Sequence, residues 1–421
     1  MTSRKYSGKG KNLKKQNAPE KSEKLWKNVY VILCLVLLVV TALQIFLIYF
    51  VPTSHWDYRT YVSAIQAFDA GQNPYILSNL VPYQSFGTEL VFDYPPHTLY
   101  LFWLLDFFSI FHNIYIYSGL LFALLLLGAY LILHLDKKPH YLFLTTLLLT
   151  GFMSAFWNFQ TGNIPILFLL LFAITFTLLI QEKYWLSSIV MGLSAAVSLL
   201  TAPFVVLYLT VRRPVMERVA LISTSIGVVA SLFVVSYLIN PTYMLSYISM
   251  MFGSKSPFLE SGGWNQPTPY LMFKDALKDL FPGNMIPVVV VSCTYIGLIL
   301  YATWKYYQKN DGNSKKILSL VMLSVFMLLP RLMPYNFIIL VVPLYLLFKD
   351  YSYRVKTLMF VIISLPIFVW ILFATNPFVW GYYVQAYSLI LIFLLVILLD
   401  HLAPVSDTKE NTGDTSRDVV R

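Results

Sequence analysis

The stretch NVYVILCLVLLVVTALQIFLIYFV (28–51) is an apolar run of 24 residues, and its flanks decide how the rest of the chain is read. A helix of roughly 20 apolar residues crosses the hydrocarbon core of a bilayer. No small-residue cleavage site follows the run, and it exceeds a signal-peptide core, so it reads as an uncleaved anchor. Before it, residues 1–27 carry nine Lys and Arg among Gly, Ser, Asn and Gln, which reads as a disordered cytoplasmic tail that sets orientation. After it comes SHWDYRTYVSAIQAFDAGQNPY (54–75), which places Asp57 and Arg59 at the membrane boundary.

The pattern of the run repeats. Of 421 residues 58% are hydrophobic and only 12% charged, and the apolar residues come in blocks, which defines a polytopic membrane protein rather than a string of soluble domains. Blocks fall near 28–51, 113–135, 141–157, 163–180, 185–200, 202–212, 216–239, 286–307, 315–330, 335–349, 356–374 and 383–402. They predict an all-α bundle of about 12 transmembrane helices, several of them shorter than a perpendicular span needs. Residues 28–402 form one membrane domain under this reading, and residues 403–421 a second cytoplasmic tail.

Charge orients the bundle. Alternating sides from an inner amino terminus puts 25 Lys and Arg in cytoplasmic segments and leaves five outside: Arg59, Lys255, Lys274, Lys278 and Arg331. The net charge of +10 is therefore topological, and nucleic acid is not an expected partner. Cys34 and Cys293 both lie inside apolar runs and carry no redox information. Two outer segments are long, 52–112 and 240–285, whereas the internal cytoplasmic connections are short, so function is expected on the outer face.

Within the first outer segment, Tyr58, Tyr61, Val62, Ile65 and Phe68 recur at helical spacing, with Gly71 placed to cap the end and Pro74 to stop it. This predicts an amphipathic interface helix over 57–70. Ser54 three residues before Asp57 matches a capping box, so Asp57 has a structural reading as a cap beside a catalytic one. The double proline of FDYPPH (92–97) forces an extended path, and HTLYLFWLLDFFSIF (97–111) is too short to span, so a second interface helix is expected there.

Asp57-Tyr58 followed by GQNPY (71–75), DYPPHTLYLFWLL (93–105), QTGN (160–163) and LLTAPFVVLYLTVRRP (199–214) resemble motifs of the C-type-fold membrane glycosyltransferases, and within them glycosyltransferase family 87. Characterised members of that family are polyprenyl-phosphate-mannose-dependent mannosyltransferases. Two departures stand out: Thr201 occupies a position where many members have Lys, and QTGN has an altered order relative to the family's Gly-Gln-x-Asn turn. In LLPRLMPYNFIILVVP (328–343), Arg331, Tyr335 and Asn336 stand where the family has an outer-face aromatic and His cluster.

The resemblance implies an inverting transferase that takes a sugar, mannose by family habit, from a polyprenyl phosphate to a lipid, glycan or protein acceptor outside a bacterial plasma membrane. It needs no further cofactor. Asp57 is the expected base, since a carboxylate is ionised at neutral pH and this one sits where lipid donor and aqueous acceptor meet. Arg331, Arg59 and His97 are the candidates for the departing phosphate. Glu89, Asp93, Tyr94 and Asn163 are those for acceptor or sugar.

Each has a structural alternative. Arg331 and Arg59 can anchor at headgroups, His97 can pack, Glu89 and Asp93 can keep a linker soluble, and Tyr94 can belong to an aromatic belt. Lys274 and Lys278 read as the solvated face of an amphipathic helix. The segment SGGWNQPTPY (261–270) reads as a mobile cover for the cleft. No spacing of Cys, His or carboxylates suggests a metal site. The main competing function is a transporter or flippase of lipid-linked sugars, which would need ionisable residues at mid-span, where this sequence has almost none. A noncatalytic assembly subunit is the third reading.

Overall fold

A computed structural model describes residues 17–51, 54–84, 90–135, 138–252, 266–310, 314–373 and 383–402. Within them the chain is helical throughout, with no β-strand. The elements are α1 (Asn17–Ile48), α2 (Trp56–Asp69), α3 (Leu77–Leu80), α4 (Pro96–Phe107), α5 (Ile114–His134), α6 (Tyr141–Thr150), α7 (Ser154–Thr161), α8 (Pro165–Ile180), α9 (Tyr184–Val197), α10 (Val215–Ile239), α11 (Pro241–Phe252), α12 (Pro269–Leu280), α13 (Ile286–Lys309), α14 (Ser314–Leu328), α15 (Val341–Phe348), α16 (Tyr353–Ile363), α17 (Leu365–Phe373) and α18 (Val384–Leu402).

Every apolar block of the sequence corresponds to a helical segment, but the segments are not all spans. Six are long and apolar enough to cross a bilayer, or seven if the bent pair α16 and α17 counts as one. Shorter apolar pieces cover 165–180, 184–197, 199–210 and 334–348, so the number of spans is not fixed at 12. Leu199–Thr210 is a 3-10 helix with Pro203 inside it. Proline removes an α-helical hydrogen bond and clashes with the preceding turn, which accounts for the tighter winding. The helix α1 starts at Asn17, eleven residues ahead of the apolar edge, so the part of the tail from 17 to 27 is helical rather than disordered. Glu and Lys are good helix formers, and an established span can propagate into them.

The core is the segment 334–348, whose residues from Asn336 to Phe348 are all buried. It carries no charge and is apolar on every side, as a helix surrounded by others must be. Around it α5, α8, α9 and α10 pack in sequence, α1 lies against α6, α7 and α16, and α13 and α14 pair beside α18. Small residues set the closest approach: a Cβ on Gly192 of α9 would meet the Ser225 carbonyl oxygen and Val228 Cβ of α10, each at 2.7 Å.

Both helices expected in the first outer segment form, as α2 and α4, and α2 buries half of its residues against the protein. Trp103, Leu104 and Phe107 of α4 face outward, Phe107 being 81% exposed, as expected of a helix resting in lipid. Between segments assigned to the outer side, Asn73 Nδ2 donates to Ser246 Oγ at 2.8 Å, and between segments assigned to the cytoplasm Lys309 pairs with Asp400 and Arg213 with Glu182 and Glu217. In the second outer segment α12 carries Lys274 and Lys278, and Thr268 caps it by accepting the N–H of Leu271 at 3.1 Å. Of SGGWNQPTPY, residues 261–265 lie outside the described residues, as do Glu89, Lys255 and residues 1–16 and 403–421.

Candidate active site

The capping-box expectation for Asp57 is not met. Helix α2 begins at Trp56 with His55 in its cap position, held in the left-handed region at φ 66° and giving no side-chain cap. Ser54 faces away, its Oγ accepting Gln160 Nε2 at 3.0 Å. The His55 backbone N–H and Nδ1 meet the Gln160 and Phe159 carbonyls at 2.7 and 2.9 Å. The chain entering α2 is thus bonded to the end of α7, a tertiary demand that outweighs the local capping signal.

Helix α7 ends in the QTGN turn. Gly162 sits at φ +70°, and a Cβ there would stand 2.6 Å from Tyr58 Cβ. Only glycine allows that approach. The Gly162 carbonyl also accepts the Tyr117 hydroxyl at 2.9 Å, which ties the turn to α5. This wedging brings Asn163 to Asp57: Asn163 Nδ2 donates to Asp57 Oδ2 at 2.8 Å, and the Thr161 hydroxyl also bonds the carboxylate.

Burial dominates the electrostatics of Asp57. It raises the carboxyl pKa to about 7, with Asp93 adding to the rise and the bonds from Thr161 and Asn163 opposing it. Burial likewise raises Asp93, and the Arg331 guanidinium pulls it back down.

Asp93, Tyr94, Ser198, Tyr247, Arg331 and Tyr335 line a small cleft of about 70 Å³. Its walls come from the Tyr-Pro-Pro segment, the start of the 3-10 helix, α11 and the Pro330–Asn336 passage, all assigned to the outer side. Tyr335 lies in the field of Asp57, Asp93 and Arg331 together. Asp57 is two hydrogen bonds behind the wall, joined through Asn163 to the Tyr94 hydroxyl, which donates to Asn163 Oδ1 at 2.8 Å.

Five of the sequence-selected residues therefore converge: Asp57, Asp93, Tyr94, Asn163 and Arg331. Asp93, Tyr94 and Arg331 line the cleft, Asp57 and Asn163 stand behind its wall, and two others, His97 and Arg59, are outside this group. His97 sits on α4 with Nε2 2.8 Å from the Ala196 carbonyl and Nδ1 3.1 Å from Ser236 Oγ, and burial lowers its pKa, so it clamps α4 to α9 and α10 as a neutral ring. Arg59 lies on α2 beside Tyr58 and His55. Glu89 is outside the described residues. At the departure from the family pattern, Thr201 is fully buried and bonds Ser194 and Ser198 at 3.2 and 3.0 Å.

Sequence pattern assigns Tyr61 to the apolar face of α2 and does not single out Thr161. Tyr61 is four residues from Asp57 and so shares its side of the helix, which is the available signal. Its hydroxyl reaches Asn163 Oδ1 at 2.9 Å. Tyr247 comes from an apolar-looking stretch of the second outer segment and offers no such signal. Among the described residues, no three His, Cys, Asp or Glu are grouped to hold a metal ion.

The sequence model of glycosyltransferase family 87 matches residues 92–330, more than half of the chain. The chain belongs to glycosyltransferase family 87. No curated protein and no solved structure matches it. The family 87 match begins at Phe92, so it takes in the Tyr-Pro-Pro segment and QTGN, and it ends one residue short of Arg331. Asp57 and Arg331 thus lie just outside it, and their place in this family 87 protein rests on the geometry of the cleft and the QTGN turn.

Proposed function

We propose that this family 87 glycosyltransferase is an inverting, polyprenyl-phosphate-sugar-dependent enzyme, with mannose as its sugar and a lipid, glycan or protein acceptor. The observation that carries the reading is a half-buried carboxylate, oriented by Asn163 and two hydrogen bonds behind a cleft whose wall holds Asp93 and Arg331. The acceptor hydroxyl approaches past the Tyr94 and Tyr335 rings and gives its proton to Asp57. Its oxygen then bonds the anomeric carbon as the bond from that carbon to the phosphate oxygen breaks. The electron pair leaves with the polyprenyl phosphate, and anomeric configuration inverts. Arg331 meets the charge that develops on the departing phosphate, where a fixed cation stabilises the transition state more than the ground state. Asp93 holds Arg331 and receives acceptor hydroxyls.

The lipid donor enters from the outer leaflet beside the exposed face of α4. The sidedness rests on the excess of Lys and Arg at the opposite end, which favours an inner location for both termini. A panel of polyprenyl-phosphate sugars, each labelled in the sugar and offered to the purified protein, tests the proposal. Labelled mannose transferred with inverted configuration is the expected result. Movement of lipid-linked sugar across a proteoliposome with no new glycosidic bond would instead favour a flippase.

A further inference from the structure

The Asn163 amide has its orientation imposed on it. Oδ1 accepts three hydrogen bonds: from the Tyr94 hydroxyl at 2.8 Å, the Tyr61 hydroxyl at 2.9 Å and the Ile164 backbone N–H at 2.7 Å. The last of these can only donate, and an amide NH2 cannot accept, so the oxygen is fixed on that side and the nitrogen on the side of Asp57. The backbone is fixed as well, its N–H lying 3.1 Å from Thr161 Oγ1 and 3.2 Å from the Asn158 carbonyl. Asn163 is 3% exposed, and an incoming sugar hydroxyl would have to displace one of these donors to reach its oxygen.

We propose that Asn163 is a positioning residue for the base rather than a sugar ligand: Tyr61, Tyr94 and the Ile164 N–H clamp its amide so that Nδ2 orients the Asp57 carboxylate and favours its ionised form. The inference rests on reading Asp57 as the base. A carboxylate has about four acceptor sites. The bonds from Nδ2 and Thr161 leave others for the acceptor hydroxyl. The other groups around Asp57 are Asp93, which opposes ionisation, the phenols of Tyr61, Tyr94, Tyr117 and Tyr335, Arg331 across the cleft, and Arg59 and His55 on its own segment. Of these, Tyr61 and Tyr94 act on Asp57 through the amide they hold. The clamp spans three separate parts of the chain, α2, the Tyr-Pro-Pro segment and the QTGN turn, so it forms only when all three are in place.

The test is the pH dependence of kcat and KM for the wild type, Asn163→Ala and the near-isosteric Asn163→Asp. Loss of the donor removes a bond to the charged form, so the apparent pKa of the kcat profile rises by about one unit in Asn163→Ala. It rises further in Asn163→Asp, where a second carboxylate faces the first. KM changes little in either. A profile left in place in both variants with a raised KM overturns the proposal and makes Asn163 a sugar ligand.

Thermal unfolding against pH reads the same titration without turnover. Its Asp57 component vanishes in Asp57→Asn and moves to higher pH in Asn163→Ala. If it moves while Asp57→Asn retains full turnover, the clamp stands and the base assignment falls. If it does not move, the clamp is wrong whatever Asp57 does.

Discussion

Gly162→Ala makes the sharpest demand on the geometry. The residue sits at φ +70°, where an L-residue costs about 1–2 kcal/mol. The added methyl would stand 2.6 Å from Tyr58 Cβ, 3.3 Å from Tyr58 N and 3.5 Å from Tyr58 Cα. These atoms belong to the α2 helix itself and cannot swing aside as a side-chain tip would, so overpacking adds about 1–3 kcal/mol. The total is a loss of about 2–5 kcal/mol, relieved by parting the QTGN turn from α2. That parting pulls Asn163 from Asp57, and a misplacement of about 1 Å at a reacting group costs roughly 100-fold in rate. Thermal unfolding in detergent and labelled-sugar transfer should therefore both fall, with kcat suffering more than KM. Wild-type stability and turnover in Gly162→Ala would refute the claim that this turn is wedged against the helix carrying the base.

Two other glycines give a matched pair. Gly192→Ala would drive a methyl into Ser225 O and Val228 Cβ and should loosen the α9–α10 contact by about 1–3 kcal/mol, whereas Gly227→Ala meets nothing within 4 Å and should be neutral or stabilising by up to about 1 kcal/mol, as thermal unfolding will read. For Arg331→Ala, loss of a fixed cation at the leaving group should lower kcat by about 100-fold or more, and Arg331→Lys should restore only part of it, read by initial-rate kinetics. For pH, the folded Asp57 pKa of about 7 lies above its unfolded value of 3.8. Its contribution to stability is fully present below about 4 and is lost as pH rises through about 7. Activity runs the opposite way, since the base must be ionised, and kcat should climb with a midpoint near 7 that Asp57→Asn abolishes.

The architecture was legible where hydrophobic patterning alone decides it. Each apolar block became helical, although 141–157 and 356–374 each broke into two α-helices, and the spacing of Tyr58, Tyr61, Val62, Ile65 and Phe68 gave α2 to within a residue of Trp56–Asp69. Block length was less informative, because a short apolar run reads alike whether it spans, stops halfway or turns inside the protein. Only packing distinguishes the fully buried 336–348 stretch from a span facing lipid. At the site, Asp57 was legible by its position after the anchor, and Arg331 by the scarcity of outer cations. The capping box was a local signal overridden by contacts more than 100 residues away, those from Ser54 to Gln160 and from Asp57 to Asn163. Tyr61 was hidden for a related reason. A tyrosine on an amphipathic helix counts as apolar until the fold supplies an acceptor for its hydroxyl.

Asp57→Asn tests the central claim most directly. The amide keeps the size and much of the hydrogen bonding of the carboxylate but cannot take a proton. With purified protein and polyprenyl-phosphate-linked labelled mannose, the substitution should leave the fold intact and reduce transfer to background. Transfer at the wild-type rate, with the wild-type pH profile, would contradict the account and remove Asp57 as the base.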